Sequence, residues 1–167
     1  MKNMTQNKLW AISLLLLLGA CDNSSTAISE NLQNTKNVSS KITSEVVMYK
    51  SPTCGCCTGW AEHLRKSGFT VVENKRDNMD AIKSEYGVPE KLSSCHTALI
   101  DGYIIEGHVP AADVERLLKE RPNIAGLTAP GMPMKSPGMQ AVGQKPQGYD
   151  VLAFDKNGKT TVFQHYQ

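Results

Sequence analysis

The sequence has 167 residues, 18 Lys and Arg against 16 Asp and Glu, and 6% aromatic side chains. So near-neutral a balance with so few aromatics argues against nucleic acid or an anionic lipid surface as the main partner, and it excludes a sequence-specific DNA binder. Five cysteines, three of them crowded at Cys54, Cys56 and Cys57, point instead toward sulfur chemistry.

Met1 to Ala20 reads as a removable export signal. Lys2 and Lys8 form its basic beginning, and Leu9 to Leu18 is an apolar run shorter than the roughly 20 residues that span a bilayer. Its removal takes two lysines and no acids, leaving a balanced mature charge. Leu18-Gly19-Ala20-Cys21 resembles the bacterial lipobox, which implies that Cys21 is acylated and becomes the new N-terminus. An ordinary signal peptide with a chance cysteine is the alternative. Acyl chains would tether the protein to a membrane without spanning it, and Asp22 resembles a signal for retention in the inner membrane of Gram-negative bacteria. Residues 21–44, rich in Ser, Asn, Thr, Lys and Gln, show neither helical nor strand periodicity and are expected to form a flexible tether. Residues 45–167 suit one domain.

That domain alternates strand and helix. Glu45 to Tyr49 is an apolar run fit for a buried strand, ended by Pro52 to Gly55. Cys57 to Lys66 carries Trp60, Ala61 and Leu64 at helical spacing, with Gly68 as a stop. Phe69 to Glu73 predicts a second strand. Asp77 is positioned to cap a helix with an inner stripe of Met79, Ile82 and Tyr86, stopped by Gly87 and Pro89. Thr97 to Ile100 and Tyr103 to Ile105 flank Asp101-Gly102, a pair suited to a two-residue hairpin turn because both positions need positive φ. Pro110 opens a helix with Val114, Leu117 and Leu118 on its apolar stripe, closed at Arg121-Pro122. Gly126 to Gly148 is expected to be a long functional loop, and Tyr149 to Phe154 with Thr160 to Phe163 forms a last hairpin across Asp155 to Gly158. A cysteine motif where the first strand gives way to the first helix matches an α/β, thioredoxin-like arrangement, a mixed central sheet flanked by helices.

With Cys21 acylated, Cys54, Cys56, Cys57 and Cys95 remain. In an oxidising compartment they can form structural disulfides, for instance Cys54 to Cys57, whereas adjacent Cys56 and Cys57 cannot bridge without strain. Yet three thiols in four positions, with Cys95 and His96 arriving from another strand, exceed what a redox pair requires. Clustered thiolates select Cu(I) and also suit Zn(II) or an iron–sulfur cluster. A helix N-terminus favours such thiolates through its dipole and unpaired N–H groups. Met132 and Met139 sit on the Gly/Pro-rich loop, where thioethers either plug apolar gaps or serve Cu(I), which they bind better than Zn(II). His96 either joins the cysteine site or faces the opposite side of its strand, and His108 precedes a helix where a loop side chain can turn toward the site. His63 is expected to point to solvent or pack locally, and His165 to be incidental.

Cys54-Gly-Cys-Cys57 with Trp60 and His63-Leu64, Ser94-Cys-His-Thr-Ala98, Gly102-Tyr103, Glu106-Gly-His-Val-Pro-Ala111, Gly126-Leu127, Pro130-Gly-Met-Pro133 and Ser136-Pro-Gly-Met139 resemble the small CopG-like periplasmic copper-handling proteins. These were long catalogued as a family with a domain of unknown function, and are unrelated to the DNA-binding repressor of that name. The resemblance covers Val46 to Tyr166, with several separate motifs in order. It implies a thioredoxin-like domain in copper resistance, with Cys54, Cys56, Cys57 and Cys95 as thiolate ligands, including to a multinuclear Cu(I) cluster. His96, His108, Met132 and Met139 are implied as additional ligands or neighbours, and redox chemistry between Cu(I) and Cu(II) as an activity. Met134 falls where such proteins vary and is left out. The implied partners are copper ions and other periplasmic copper-resistance proteins. The tether and lipobox depart from the soluble periplasmic relatives.

Two other classes stay open. A thiol–disulfide oxidoreductase would use Cys54 and Cys57, although Ser94-Cys95-His96 replaces the proline that thioredoxins place before their central hairpin strand. A structural zinc or disulfide module would unfold without its metal or bridges, but leaves the methionine loop unexplained.

Overall fold

The structure, a computed structural model, describes residues 44–167. The export signal, the lipobox with Cys21, and the tether up to residue 43 lie outside the described residues.

Strand β1 (Glu45–Lys50) leads into helix α1 (Gly55–Lys66), which returns the chain to β2 (Thr70–Lys75), parallel to β1. Helix α2 (Met79–Glu85) and a single 3-10 turn at Glu90–Leu92 precede β3 (His96–Ile100) and β4 (Tyr103–Gly107). Helix α3 (Ala111–Glu120) then connects β4 to β5 (Gly126–Ala129), parallel to it, and β6 (Tyr149–Phe154) and β7 (Thr160–Tyr166) close the chain. All seven strands lie in one mixed sheet ordered β2-β1-β3-β4-β5-β6-β7.

The period-two alternation of strands assigns the two faces. From β1, Val46 and Met48 are fully buried in the main apolar cluster with Trp60, Ala61 and Leu64 of α1, while Tyr49 turns the other way to meet Tyr86 at the end of α2. From β3, His96 faces the α1 side and packs against Trp60, whereas Thr97 faces α2 and receives a hydrogen bond from Lys83. Trp60 completes its own valence by donating from Nε1 to Val109 O at 2.8 Å, which fixes α1 to the segment entering α3. A fully buried indole with its N–H satisfied is a principal anchor of this face.

The hairpin turn has Asp101 at φ 47° and Gly102 at φ 86°, as the residue pair required. Three sequence expectations are corrected. The segment from Gly126 opens with β5, whose four residues are all buried; a run this short carries no periodicity. Gly126 is essential there, because a Cβ would stand 2.0 Å from Ile104 O. The cap of α2 is Asn78, whose side chain accepts from Ala81 N, and not Asp77. On α2 itself the most deeply buried residue is Lys83, while Met79, Ile82 and Tyr86 are half-buried, because a carboxylate waits for the ammonium beneath the helix.

Candidate metal centre

Cys54 is the N-cap of α1, with extended backbone and no side-chain capping bond, and Cys56 and Cys57 lie in the first turn. That turn holds no acidic residue, so no carboxylate competes for its unpaired N–H groups. Basic His63, Arg65 and Lys66 occupy the last turn, where the dipole is negative. The structure joins Cys54 and Cys57 in a disulfide and leaves Cys56 and Cys95 free. Cys56 Sγ lies 3.6 Å from Cys54 Sγ, and Cys57 Sγ lies 3.8 Å from Cys95 O. The four sulfurs fall within 4.8 Å of one another.

A second group shares one member with the first. The ligand atoms of Cys95, His96 and His108 also lie within 4.8 Å of each other. Cys95 Sγ is 3.5 Å from His96 Nδ1 and 2.9 Å from His108 Nε2. His108 Nδ1 is 2.7 Å from Pro137 O; since a carbonyl only accepts, Nδ1 carries the proton and Nε2 presents its lone pair to the sulfur. Both imidazoles are fully buried, and burial holds His96 well below the ordinary histidine range and His108 below it, with His108 adding to the effect on His96. Both are therefore neutral at pH 7. Burial, reinforced by the nearby Cys56, pushes the Cys95 thiol up to about 12, so a cation must displace its proton to bind.

The methionine loop is fastened to this centre at both ends. Gly131 N donates to Ser93 O at 2.9 Å, and Ser94 Oγ donates to Gly131 O. At the other end Gly138, at φ +86°, sits where a Cβ would be 2.5 Å from Cys56 O and 2.6 Å from Trp60 N, so only glycine lets the loop close on the first turn of α1. Met139, next in sequence, is half-buried; Met132 is exposed. The loop thus packs through Gly138 on the turn that carries Cys56, with Met139 half-buried and Met132 at the surface.

Sequence reasoning missed the support on the opposite face. Glu106, completely buried, accepts from Ser94 N at 2.7 Å and from Thr97 Oγ1 at 2.7 Å, and pairs with Lys83. Lys83 also donates to Thr97 Oγ1 at 3.2 Å. The carboxylate therefore grips both sides of the Cys95-His96 dipeptide. An acid inside an apolar strand was the available signal. His63 proves more than a surface residue: it is half-buried, and its Nε2 accepts from Ala111 N at 3.0 Å, tying α1 to the start of α3. Exposed His165 pairs with half-buried Asp150 on the last hairpin.

The α/β architecture with a cysteine cluster at the first helix N-terminus defines a thioredoxin-like protein with a metal-competent Cys/His centre. The model of a family described as "Protein of unknown function, DUF411" matches residues 92–139, a stretch that holds Cys95, His96, His108 and the methionine loop. No curated protein matches the sequence. Two solved structures, both described as copper resistance protein copG, in forms 1 and 2, are similar to it. The first is 41% identical with TM-score 0.67, covering 73% of this chain and 96% of the other. The second is 40% identical with TM-score 0.69, covering 75% and 99%. The chain belongs to the CopG-like copper-resistance family.

Proposed function

We propose that the protein captures Cu(I) outside the cytoplasm, in copper resistance, through the thiolates of Cys54, Cys56, Cys57 and Cys95. The observation that carries this reading is the convergence of four sulfurs from a helix N-terminus and a facing strand within 4.8 Å. Four soft donors so close suit Cu(I), including a multinuclear cluster bridged by sulfur. His96, His108, Met132 and Met139 supply further donors around it, and His96 Nε2, buried without a hydrogen-bond partner, marks an imidazole with capacity to spare. The Cys54–Cys57 disulfide and four-thiolate binding are mutually exclusive, since the same sulfurs cannot be paired and metal-bound. Loading therefore follows reduction. Exchange between Cu(I) and Cu(II) at this centre is the proposed enzymatic extension.

The signal at Met1 to Ala20 and the lipobox support export and anchoring through Cys21, at the inner membrane if Asp22 acts as a retention signal. No helix among the described residues is long and apolar enough to cross a membrane. Residues 21–44 would then act as the tether and 45–167 as the metal-binding domain, placed to exchange copper with other periplasmic copper-resistance proteins.

Anaerobic Cu(I) titration of the reduced protein, with metal counted by elemental analysis, tests the reading. Tight binding lost in Cys54→Ser, Cys57→Ser and Cys95→Ser is expected, and absence of tight binding by the reduced wild type overturns it. The Cys54–Cys57 disulfide at α1 favours one alternative, a thiol–disulfide oxidoreductase. Catalysed reduction of insulin disulfides, undiminished in Cys95→Ser, would select it.

A further inference from the structure

The disulfide removes two donors from the sulfur group and none from the Cys95, His96, His108 group. We infer that the disulfide form of the protein is itself a metal site, one that holds a borderline divalent cation such as Zn(II) through Cys95 Sγ, His96 and His108, with water at the fourth position. The oxidation state of Cys54 and Cys57 thereby selects the class of ion: soft and monovalent when they are thiols, borderline and divalent when they are joined. The inference shares the cluster of the proposed copper site but uses a different donor set and a different ion.

Geometry and donor chemistry carry it. A tetrahedral ion with Zn–S near 2.3 Å and Zn–N near 2.0–2.1 Å places sulfur and nitrogen about 3.6 Å apart. Cys95 Sγ and His96 Nδ1 already stand 3.5 Å apart. Cys95 Sγ and His108 Nε2, at 2.9 Å across a shared proton, need to open by roughly 0.7 Å when an ion replaces that proton. The orientations are set beforehand. His96 packs against Trp60 with the rings tilted, 4.4 Å between ring centres, and meets the edge of His108 at 5.0 Å, and the Pro137 carbonyl fixes the tautomer of His108 with Nε2 toward the site. Such a carbonyl behind a ligating histidine is the usual outer support of a zinc ligand. Cys56 Sγ, free in the structure, lies within 4.8 Å of Cys95 Sγ but not of both imidazole ligand atoms, so the fourth position is left to water. One sulfur and two nitrogens, with water in the fourth position, form the open three-ligand arrangement that zinc also takes, and binding releases the thiol proton of Cys95 to solvent.

The test uses Co(II) as a visible stand-in for Zn(II) on the full chain, oxidised so that mass spectrometry shows the Cys54–Cys57 bridge. The expected result is one Co(II) per chain, with tetrahedral d–d bands and sulfur-to-cobalt charge transfer, bleached by added Zn(II) and lost in Cys95→Ser. The double variant Cys54→Ala/Cys57→Ala, which lacks the two donors permanently, should give the same spectrum, while its Cu(I) capacity falls. His108→Gln, checked for folding by circular dichroism, should lose the tetrahedral bands and gives a second route if the double variant does not fold. Octahedral or absent bands in the oxidised wild type, or bands that survive Cys95→Ser, overturn the inference. Cu(I) titration of the reduced protein is run in parallel. Cobalt failure with intact Cu(I) capture sinks the divalent site alone, and the reverse outcome sinks only the copper reading.

Discussion

Glu106→Gln replaces a completely buried carboxylate with an amide of nearly the same shape, beneath the Cys95-His96 dipeptide that leads into β3. The amide oxygen can keep the bond from Ser94 N, and the Thr97 hydroxyl can rotate to accept from the new NH2, so shape and most hydrogen bonds survive. What is lost is the negative charge opposite Lys83, whose side chain is 10% exposed. Removing one partner of a buried pair costs about 3–5 kcal/mol when nothing replaces it, and the retained acceptor reduces this to about 2–4 kcal/mol. Urea unfolding at pH 7 reads the loss as a lowered midpoint at unchanged slope. Lys83→Met/Glu106→Gln should recover part of it, because the orphaned ammonium is then gone. A neutral amide oxygen holds Ser94 N less strongly than the carboxylate did, which loosens the backbone beside Cys95, so Cu(I) affinity should fall about tenfold. A stability change below about 0.5 kcal/mol, the level of an inert surface substitution, would refute the reasoning.

Gly138→Ala should destabilise by about 1–3 kcal/mol and weaken Cu(I) binding, because its Cβ meets Cys56 O and Trp60 N at a positive φ; Gly131→Ala, at φ +68° with open space around it, is the control and should cost only the backbone strain. Below the ordinary histidine range, unfolded chains take up protons that buried His96 and His108 refuse. Stability of the metal-free protein is therefore whole above pH 6.5 and should decline toward pH 5.5 by up to about 1.4 kcal/mol per pH unit for each histidine; a flat urea midpoint across that window would contradict the burial. With the disulfide intact, alkylation of Cys95 should keep accelerating about tenfold per pH unit past pH 9, since its thiol is pushed up to about 12, and a plateau near pH 8.5, followed by peptide mass spectrometry, would show an ordinary exposed thiol.

The α1 side of the sheet was legible in the sequence because its signals are local. Trp60 and Leu64 one turn apart announced α1, Asp101-Gly102 announced the β3–β4 turn, and the grouping of Cys54, Cys56 and Cys57 announced the sulfurs. What stayed hidden depends on register. Strand β5 joins the sheet by pairing with β4 on one side and β6 on the other, partnerships of residues far apart in sequence. Lys83 looked like one more solvated charge on a short helix until Thr97 and Glu106 appeared beneath it. The alternatives for His96 were settled by strand parity: Thr97 faces α2, so His96 must face Trp60. Proximity of the loop to the helix could be guessed from its Gly and Pro content, but its two fastenings, at Gly131 and Gly138, are backbone contacts with no side-chain signature.

These hidden contacts act together on one short stretch of chain. Ser94 is held through its N–H by Glu106 from the α2 side and through its hydroxyl by the Gly131 carbonyl of the loop, while His96 is pressed against Trp60 on the α1 side. Cys95 lies between two residues whose positions are fixed from three directions, so its sulfur has little freedom left to lose when a metal binds. Cys56 and Cys57, by contrast, ride on the first turn of α1, and Cys54 is its uncapped N-cap. The centre thus combines a half beside the sheet, fixed from three directions, with a half on the helix end whose Cys54 and Cys57 are joined in a disulfide. A fixed half lowers the ordering cost of coordination, and the half that carries the disulfide changes its donor number with oxidation state. That division assigns different consequences to the two halves: substitutions beneath β3 should weaken every metal the centre takes, whereas substitutions in the Cys54 to Cys57 turn should change which metal it takes.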